Sequence, residues 1–229
     1  DWKLPDVLNQ YDFYNREVKP VLDADPGRRV VVIISDAFRF EAAQELFKAL
    51  EGKDRFQAKL DSMLGVLPSY TALGMSALLP HDQLGYAADG SVRVDGKSAS
   101  GLEARKKLLE PVNGIAIKAA DLMELKKEDG VAFFKPYRVI YVYHDQIDQT
   151  ADKGNEEKTF VAVRTTIDEI AALIRRAFTF NCNRALVTAD HGFLFQSEAP
   201  SEAHKNAIST RPGGTVIAKK RYLIGTNLG

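Results

Sequence analysis

Five β-branched residues in a row, Val30-Val31-Val32-Ile33-Ile34, restrict the fold of this chain more than any other feature. A run without polar alternation suits a strand buried on both faces, as in a parallel sheet covered by helices on each side. We read a strand over 29–35. It is followed by Phe40 to Leu50, where Ala43, Leu46, Phe47 and Leu50 fall at helical spacing up to Gly52. The unit recurs along the chain. A second strand is expected near 56–60, then a Pro-marked loop at Leu67-Pro68-Ser69-Tyr70 and a short helix from Thr71 to Leu79 before Pro80. Further on, the spacing predicts helix 101–109, strand 114–118, helix 120–127, strand 137–143, a long helix over 156–179 and strand 184–189. Residues 81–100 break the rhythm: Gly85, Asp89-Gly90 and Asp95-Gly96 surround an alternating Ser91-Val-Arg-Val-Asp, which predicts a small hairpin inserted beside the main sheet. The expected fold class is therefore α/β, a three-layer α/β/α arrangement with a largely parallel sheet and a small inserted hairpin. Residues 1–28, polar and aromatic and closed by Asp25-Pro26-Gly27, read as a helical lead-in to a domain over 29–229.

Charge and cysteine content narrow the chemistry. Across 229 residues, 31 Lys+Arg balance 31 Asp+Glu, so global basicity gives no argument for nucleic-acid binding. The one cysteine, Cys182, excludes a disulfide framework and a zinc site built from several thiolates. Any metal must rest on Asp, Glu and His. Apolar runs fall far short of the ~20 residues of a membrane helix, and the chain opens without a signal-peptide pattern, so a cytoplasmic location and no membrane partner are expected. The chain starts at Asp1 rather than Met and stops at Gly229 just after the strand-like Arg221-Tyr-Leu-Ile-Gly, and so reads as a piece of a longer protein.

In open parallel sheets ligands bind beyond the carboxyl ends of the strands. Three predicted strands end in acids or imidazoles there: Ser35-Asp36, His144-Asp145 and Ala189-Asp190-His191-Gly192. Asp190 and His191 offer one hard oxygen and one borderline nitrogen, a common ligand pair; a capping Asp beside a hydrogen-bonded His is the plainer alternative. Asp36 is equally a ligand position or a helix N-cap. Asp148 and Asp152 lie four apart, so one helical turn presents both on one side, where they could share a cation or simply belong to the solvated charge run that continues to Lys158. Ser69 and Thr71 set two hydroxyls at a helix start, where an ordinary cap competes with a nucleophile activated by a nearby metal. One scheme uses them all: two divalent metals about 3.5 to 4 Å apart driving in-line displacement at phosphorus.

In that order, strand-Asp36, Pro68-Ser-Tyr-Thr71, Asp148-xxx-Asp152 and Thr188-Ala-Asp190-His191-Gly192 resemble the motifs of the alkaline phosphatase superfamily. The fuller strings Ser35-Asp36-Ala-Phe-Arg39-Phe, Leu67-Pro-Ser-Tyr-Thr71-Ala-Leu-Gly-Met, Tyr143-His-Asp-Gln-Ile-Asp148-Gln-Thr-Ala-Asp152 and Thr188-Ala-Asp190-His191-Gly192-Phe resemble the PglZ domain of bacterial BREX phage-defence proteins, over roughly residues 28 to 225. The resemblance implies an alkaline-phosphatase-like domain that binds two divalent metals, usually zinc, and hydrolyses phosphomonoesters or phosphodiesters through a Ser or Thr nucleophile. Carried over, Asp36, Asp190 and His191 match the ligands of one metal, Thr71 the nucleophile with Ser69 in reserve, and Asp148 the first ligand of the second metal. Asp152 stands where the superfamily's phosphodiesterases usually show His, a harder second site that suits Mn or Mg as well as Zn. The superfamily's usual later His has His204 as its only counterpart, and His144 and Asp145 are reserve ligands. Arg39 is a candidate phosphate contact or a surface ion-pair residue.

The leading expectation is a metal-dependent phosphoesterase acting on a phosphate ester, a nucleotide or nucleic acid among them, beside other defence-system proteins. The alternative is a non-catalytic scaffold that keeps the fold and binds a nucleotide or partner. A phosphoaspartyl chemistry with Asp36 as nucleophile is disfavoured by Phe38 two residues on, and no G-x-G-x-x-G follows the first strand to hold a dinucleotide. An insertion acting as a flap favours small substrates, and an open cleft edged by Lys219, Lys220 and Arg221 favours a polyanion.

Overall fold

A computed structural model of the chain describes residues 7–51, 56–151, 156–193, 213–219 and 222–226. After short 3-10 and π turns over 10–18 come α1 (Lys19–Ala24), β1 (Val30–Ser35), α2 (Phe40–Leu50) and α3 (Thr71–Ala77). A small antiparallel sheet follows, formed by β2 (Leu84–Tyr86), β3 (Val92–Val94) and β4 (Lys97–Ser98) in that order. Then come α4 (Gly101–Leu109), β5 (Gly114–Lys118), α5 (Ala119–Glu124), α6 (Lys127–Phe134) and β6 (Val139–His144). The last described elements are α7 (Gln146–Ala151), α8 (Glu156–Thr179), β7 (Arg184–Thr188) and the antiparallel pair β8 (Thr215–Ala218) and β9 (Leu223–Gly225).

The main sheet has the order β5-β6-β1-β7, and every pairing in it is parallel. All six residues of β1 are buried, as a strand with neighbours on both edges and helices on both faces must be. Val31 and Ile33 face a layer of α2, α5, α6 and α8 through Leu46, Leu122, Phe134 and Ile170. Val30, Val32 and Ile34 face the opposite layer through Phe13, Val18, Met75 and Leu109. The architecture is the expected three-layer α/β/α with a mostly parallel sheet. Asp95 and Gly96 both have positive φ (48° and 75°), a two-residue turn of the type that joins β3 to β4 without splaying them.

Two expected elements differ. Residues 56–60 alternate in burial but make no ladder with a neighbouring strand. Phe56 is held by its ring contact with Phe178 of α8 (centroids 4.9 Å apart), so side-chain packing, not backbone pairing, fixes the segment. The helix expected over 120–127 ends early, α5 stopping at Glu124 where Leu125 turns extended (ψ 131°), and α6 over Lys127–Phe134 is a further helix not expected from the sequence. Gly130, which weakens the helical pattern in the sequence, is required inside α6 because a Cβ there would lie 2.2 Å from the Phe180 ring. Among the described residues no helix is long and apolar enough to cross a membrane.

Candidate metal centre and active-site cleft

The register of the sheet brings the strand ends together. Ser35 lies opposite His144 and Ile34 opposite Thr188, so Asp36, His144 and Asp190 emerge side by side at the carboxyl edge. The Asp36 N–H donates to the His144 carbonyl (2.7 Å), and the chain then turns through Ala37, whose φ of 61° is left-handed. That conformation costs a residue with a Cβ about 1 to 2 kcal/mol. It aims the Ala37 N–H at Asp190 Oδ1 (3.2 Å), which also accepts the N–H of His191 (2.8 Å).

One oxygen of each carboxylate is left over. Asp36 Oδ1 and Asp190 Oδ2 are buried without a hydrogen-bond partner. His191 Nε2 lies 3.6 Å from the first and 3.3 Å from the second. His191 Nδ1 is 2.8 Å from the Gly192 carbonyl, which can only accept, so Nδ1 carries a proton and Nε2 is the ring atom turned toward the two carboxylates. Three electron-pair donors thus converge, their ligand atoms within 4.8 Å of one another. A divalent cation satisfies such a set, and the Nδ1–H bond to a backbone carbonyl is the usual support of a ligating imidazole. Without a cation a proton must substitute: burial first, then the charges of Asp190, Asp148 and Asp145, raise the Asp36 carboxyl from 3.8 to about 8. Burial also raises Asp190, against the favourable charge of His191.

Thr71 is the first residue of α3, and its Oγ1 lies 3.0 Å from His191 Nε2. The helix approaches closely because residue 74 is glycine; a Cβ there would be 2.3 Å from the Asp190 carbonyl oxygen. Gln10, 2% exposed, completes the bracing. Its amide donates to the carbonyls of Ala189 (2.9 Å) and Asp190 (2.7 Å), while its Oε1 accepts the Val66 N–H (3.0 Å) in the segment leading to Thr71.

The other sequence candidates are distributed around this centre. Asp148, half-buried on α7, is close enough for its charge to raise Asp36. Asp145 does so more weakly from an exposed position. Asp152, His204, Lys220 and Arg221 lie outside the described residues. His144 is buried with both ring nitrogens engaged, Nδ1 with Ser35 Oγ (3.1 Å) and Nε2 with Glu169 Oε2 (2.8 Å). Ser69 is exposed two residues before Thr71. The Arg39 guanidinium pairs with Glu41 (Nε to Oε2 3.2 Å) and stacks over the Phe193 ring (5.1 Å).

A cleft of about 710 Å³ opens over this edge, lined among others by Asp36, Thr71, Arg105, Lys118, His144 and Glu169. Glu169, Gln10 and the Arg105–Lys118 pair were not singled out from sequence. Lys118 ends strand β5 and obeys the same strand-end rule that found Asp36. Glu169 and Gln10 carry no such signal, since a single polar residue on a helical stretch does not reveal what it meets in space.

A parallel α/β sheet with an Asp-Asp-His cluster at its carboxyl edge, facing a hydroxyl at a helix start, defines an alkaline-phosphatase-like domain. The family model of the BREX system PglZ alkaline phosphatase-like domain matches residues 13–229, and the chain belongs to that family. It is 44% identical over 231 residues to the alkaline phosphatase-like protein BrxZ of Escherichia coli O9:H4 (strain HS), covering 99% of this chain and 27% of that protein. It is 32% identical over 232 residues to the alkaline phosphatase-like protein PglZ of Bacillus cereus (strain H3081.97), covering 98% of this chain and 26% of that protein. The chain therefore spans about a quarter of the length of these curated relatives.

Proposed function

We propose that this domain is a metal-dependent phosphoesterase within a BREX phage-defence protein, with Thr71 as nucleophile and other proteins of the defence system as partners. The observation that carries the reading is the placement of Thr71 Oγ1 3.0 Å from His191 Nε2, beside two buried carboxylate oxygens that lack a donor. Asp36, Asp190 and His191 are the residues that would hold a zinc ion, or manganese or magnesium in its place. Asp148, with Asp152, would hold a second ion. Bound there, a divalent cation supplies Lewis-acid charge that lowers the pKa of a neighbouring hydroxyl and offsets charge on phosphoryl oxygens.

The chain's own residues do the rest. Thr71, fixed at the head of α3, points its oxygen at the phosphorus of a bound ester; as the new P–O bond forms and the bond to the leaving group breaks, the Thr71 proton passes through water to the departing oxygen, which leaves as the alcohol. Water then hydrolyses the threonyl phosphate, which restores the hydroxyl and releases phosphate or a phosphomonoester. His191 keeps Nδ1–H on Gly192 and so presents Nε2 throughout. The Asp190 carboxylate, anchored by the amides of Ala37 and His191, holds the turn after β1 against the strand end of β7.

The test is metal content together with hydrolysis of bis-p-nitrophenyl phosphate and p-nitrophenyl phosphate, with zinc, manganese and no metal. The expected result is metal-dependent turnover that falls by at least about a hundredfold in Thr71→Ala and Asp190→Ala. Turnover that survives Thr71→Ala refutes the nucleophile. Full metal occupancy without turnover of either ester would leave the domain as a binding scaffold.

A further inference from the structure

Arg105 and Lys118 both line the same cleft, and neither forms an ion pair with a carboxylate among the described residues. Lys118 closes β5 and pairs in register with Tyr143 of β6, so both side chains leave the same face of the sheet. Arg105, on α4 packed over that face, sets its guanidinium carbon 4.4 Å from the centre of the Tyr143 ring and donates Nε–H to the Ala99 carbonyl (3.1 Å). Arg105 thus rests on the tyrosine whose neighbour in the ladder is Lys118. Both cations line the cleft, and an anion that enters it is attracted by each. The remaining walls between them and Thr71 are largely apolar, with Met75, Leu102, Ala119 and Leu173.

We propose that Arg105 and Lys118 form a subsite for a second phosphate of the substrate. In the strand order β5-β6-β1, Lys118 lies two strands from Ile34 and so, with two more residues along the chain, about 12 Å from Asp36 at 4.8 Å per strand and 3.3 Å per residue. A phosphate ester seated on Thr71 thus directs its apolar or ring-bearing portion along the Met75–Leu102 wall and its second phosphate to the cations. The substrate class is a phosphate ester with another phosphate about one nucleoside away, whether in a small nucleotide or along a strand. The inference rests on the phosphoesterase reading for the position of the first phosphate; the cationic subsite itself is tested by binding alone.

The experiment is calorimetric titration of the zinc-loaded chain with thymidine 3′,5′-bisphosphate and with thymidine 5′-monophosphate. The expected result is about tenfold tighter binding of the bisphosphate, the size of one charge-assisted contact. Lys118→Gln and Arg105→Gln should each remove most of that advantage and leave monophosphate affinity unchanged. Lys118 is exposed, so its variant keeps the test independent of any folding defect at Arg105. Equal binding of the two ligands by the wild type, or an advantage that survives both variants, overturns the subsite. A bisphosphate preference in a chain that hydrolyses neither test ester supports the subsite and refutes the phosphoesterase reading; ester turnover without the preference does the reverse. A thymidine tetranucleotide distinguishes the sources: binding tighter than the bisphosphate supports the subsite with a strand as ligand, and binding no tighter supports it with a small nucleotide.

Discussion

Replacing Gly74 by alanine discriminates between helix propensity and site geometry, because the two give opposite signs. Glycine inside a helix is less favourable than alanine by about 1 kcal/mol, so propensity alone makes Gly74→Ala stabilising. The structure says otherwise. The new methyl would sit 2.3 Å from the Asp190 carbonyl oxygen, 2.8 Å from its carbon and 3.0 Å from its Cα, all backbone atoms of the strand end that bears the ligands. Restoring ordinary contact requires α3 to retreat by about 1 Å, and packing strain of this kind costs about 1 to 3 kcal/mol. The Thr71 Oγ1 to His191 Nε2 distance, now 3.0 Å, opens to roughly 4 Å, beyond a hydrogen bond. A displacement of that size at a reacting group lowers turnover by about a hundredfold. The assay pairs thermal unfolding with metal-supported diester hydrolysis. The expected outcome is a Tm a few degrees lower, at about 2 to 4 °C per kcal/mol for a chain of this size, with turnover nearly lost. A Tm that rises with turnover within twofold of wild type would refute the close approach of α3 to Asp190.

Two further outcomes follow from the same site. Gln10→Leu leaves the carbonyls of Ala189 and Asp190 and the N–H of Val66 unpaired, which should cost about 3 kcal/mol in chemical unfolding and weaken zinc binding about tenfold; unchanged zinc affinity would show that Gln10 serves stability alone. For the metal-free chain, stability should fall as pH rises from about 4 to about 8, because the unfolded Asp36 ionises at 3.8 while the folded one keeps its proton to about 8. At 1.4 kcal/mol per unit, halved for the solvent that reaches the cleft, the loss is about 3 kcal/mol. Zinc replaces that proton, so its stabilising effect should be largest at and above pH 8; a metal-free Tm that stays flat between pH 5 and 8 counts against a proton held on buried Asp36.

The fold was legible wherever hydrophobic pattern and backbone requirement coincide. The β-branched run 30–34 can hardly be anything other than a central strand, and the amphipathic stretch 156–179 is long enough to settle its own ends. Strand-end position then singled out Asp36, Asp190 and His191, which the structure gathers into one cluster. That Thr71 meets them followed from no local rule, since 120 residues separate it from His191; it came from the two-metal chemistry that would use all four residues, and from the family resemblance. Residues 56–60 misled because alternation reports side-chain environment and not a backbone partner. Gly74 reads in sequence as a weak spot in a short helix, although it is the point at which that helix touches the strand end. Glycines of this kind acquire meaning only from what lies opposite.

The charge balance of zero conceals a strong local separation, and that separation bears on how the cleft works. At one end Asp36, Asp190, Asp145 and Asp148 gather negative charge that raises the Asp36 carboxyl, a charge that a cation there would offset. Elsewhere in the cleft Arg105 and Lys118 hold two positive charges that form no ion pair among the described residues. A phosphate ester entering the metal-free cleft would be repelled by the acids and drawn to the cations, the wrong end for Thr71. Loading the Asp-Asp-His cluster with a divalent ion offsets the charge of the two carboxylates that would hold it and gives a phosphoryl oxygen a cation to meet at that end. The ordering this implies, metal before substrate, follows from the placement of the charges alone: nucleotide affinity measured without metal should report only the Arg105–Lys118 end, and the gain on adding zinc should disappear in Asp190→Asn while the Lys118 contribution remains.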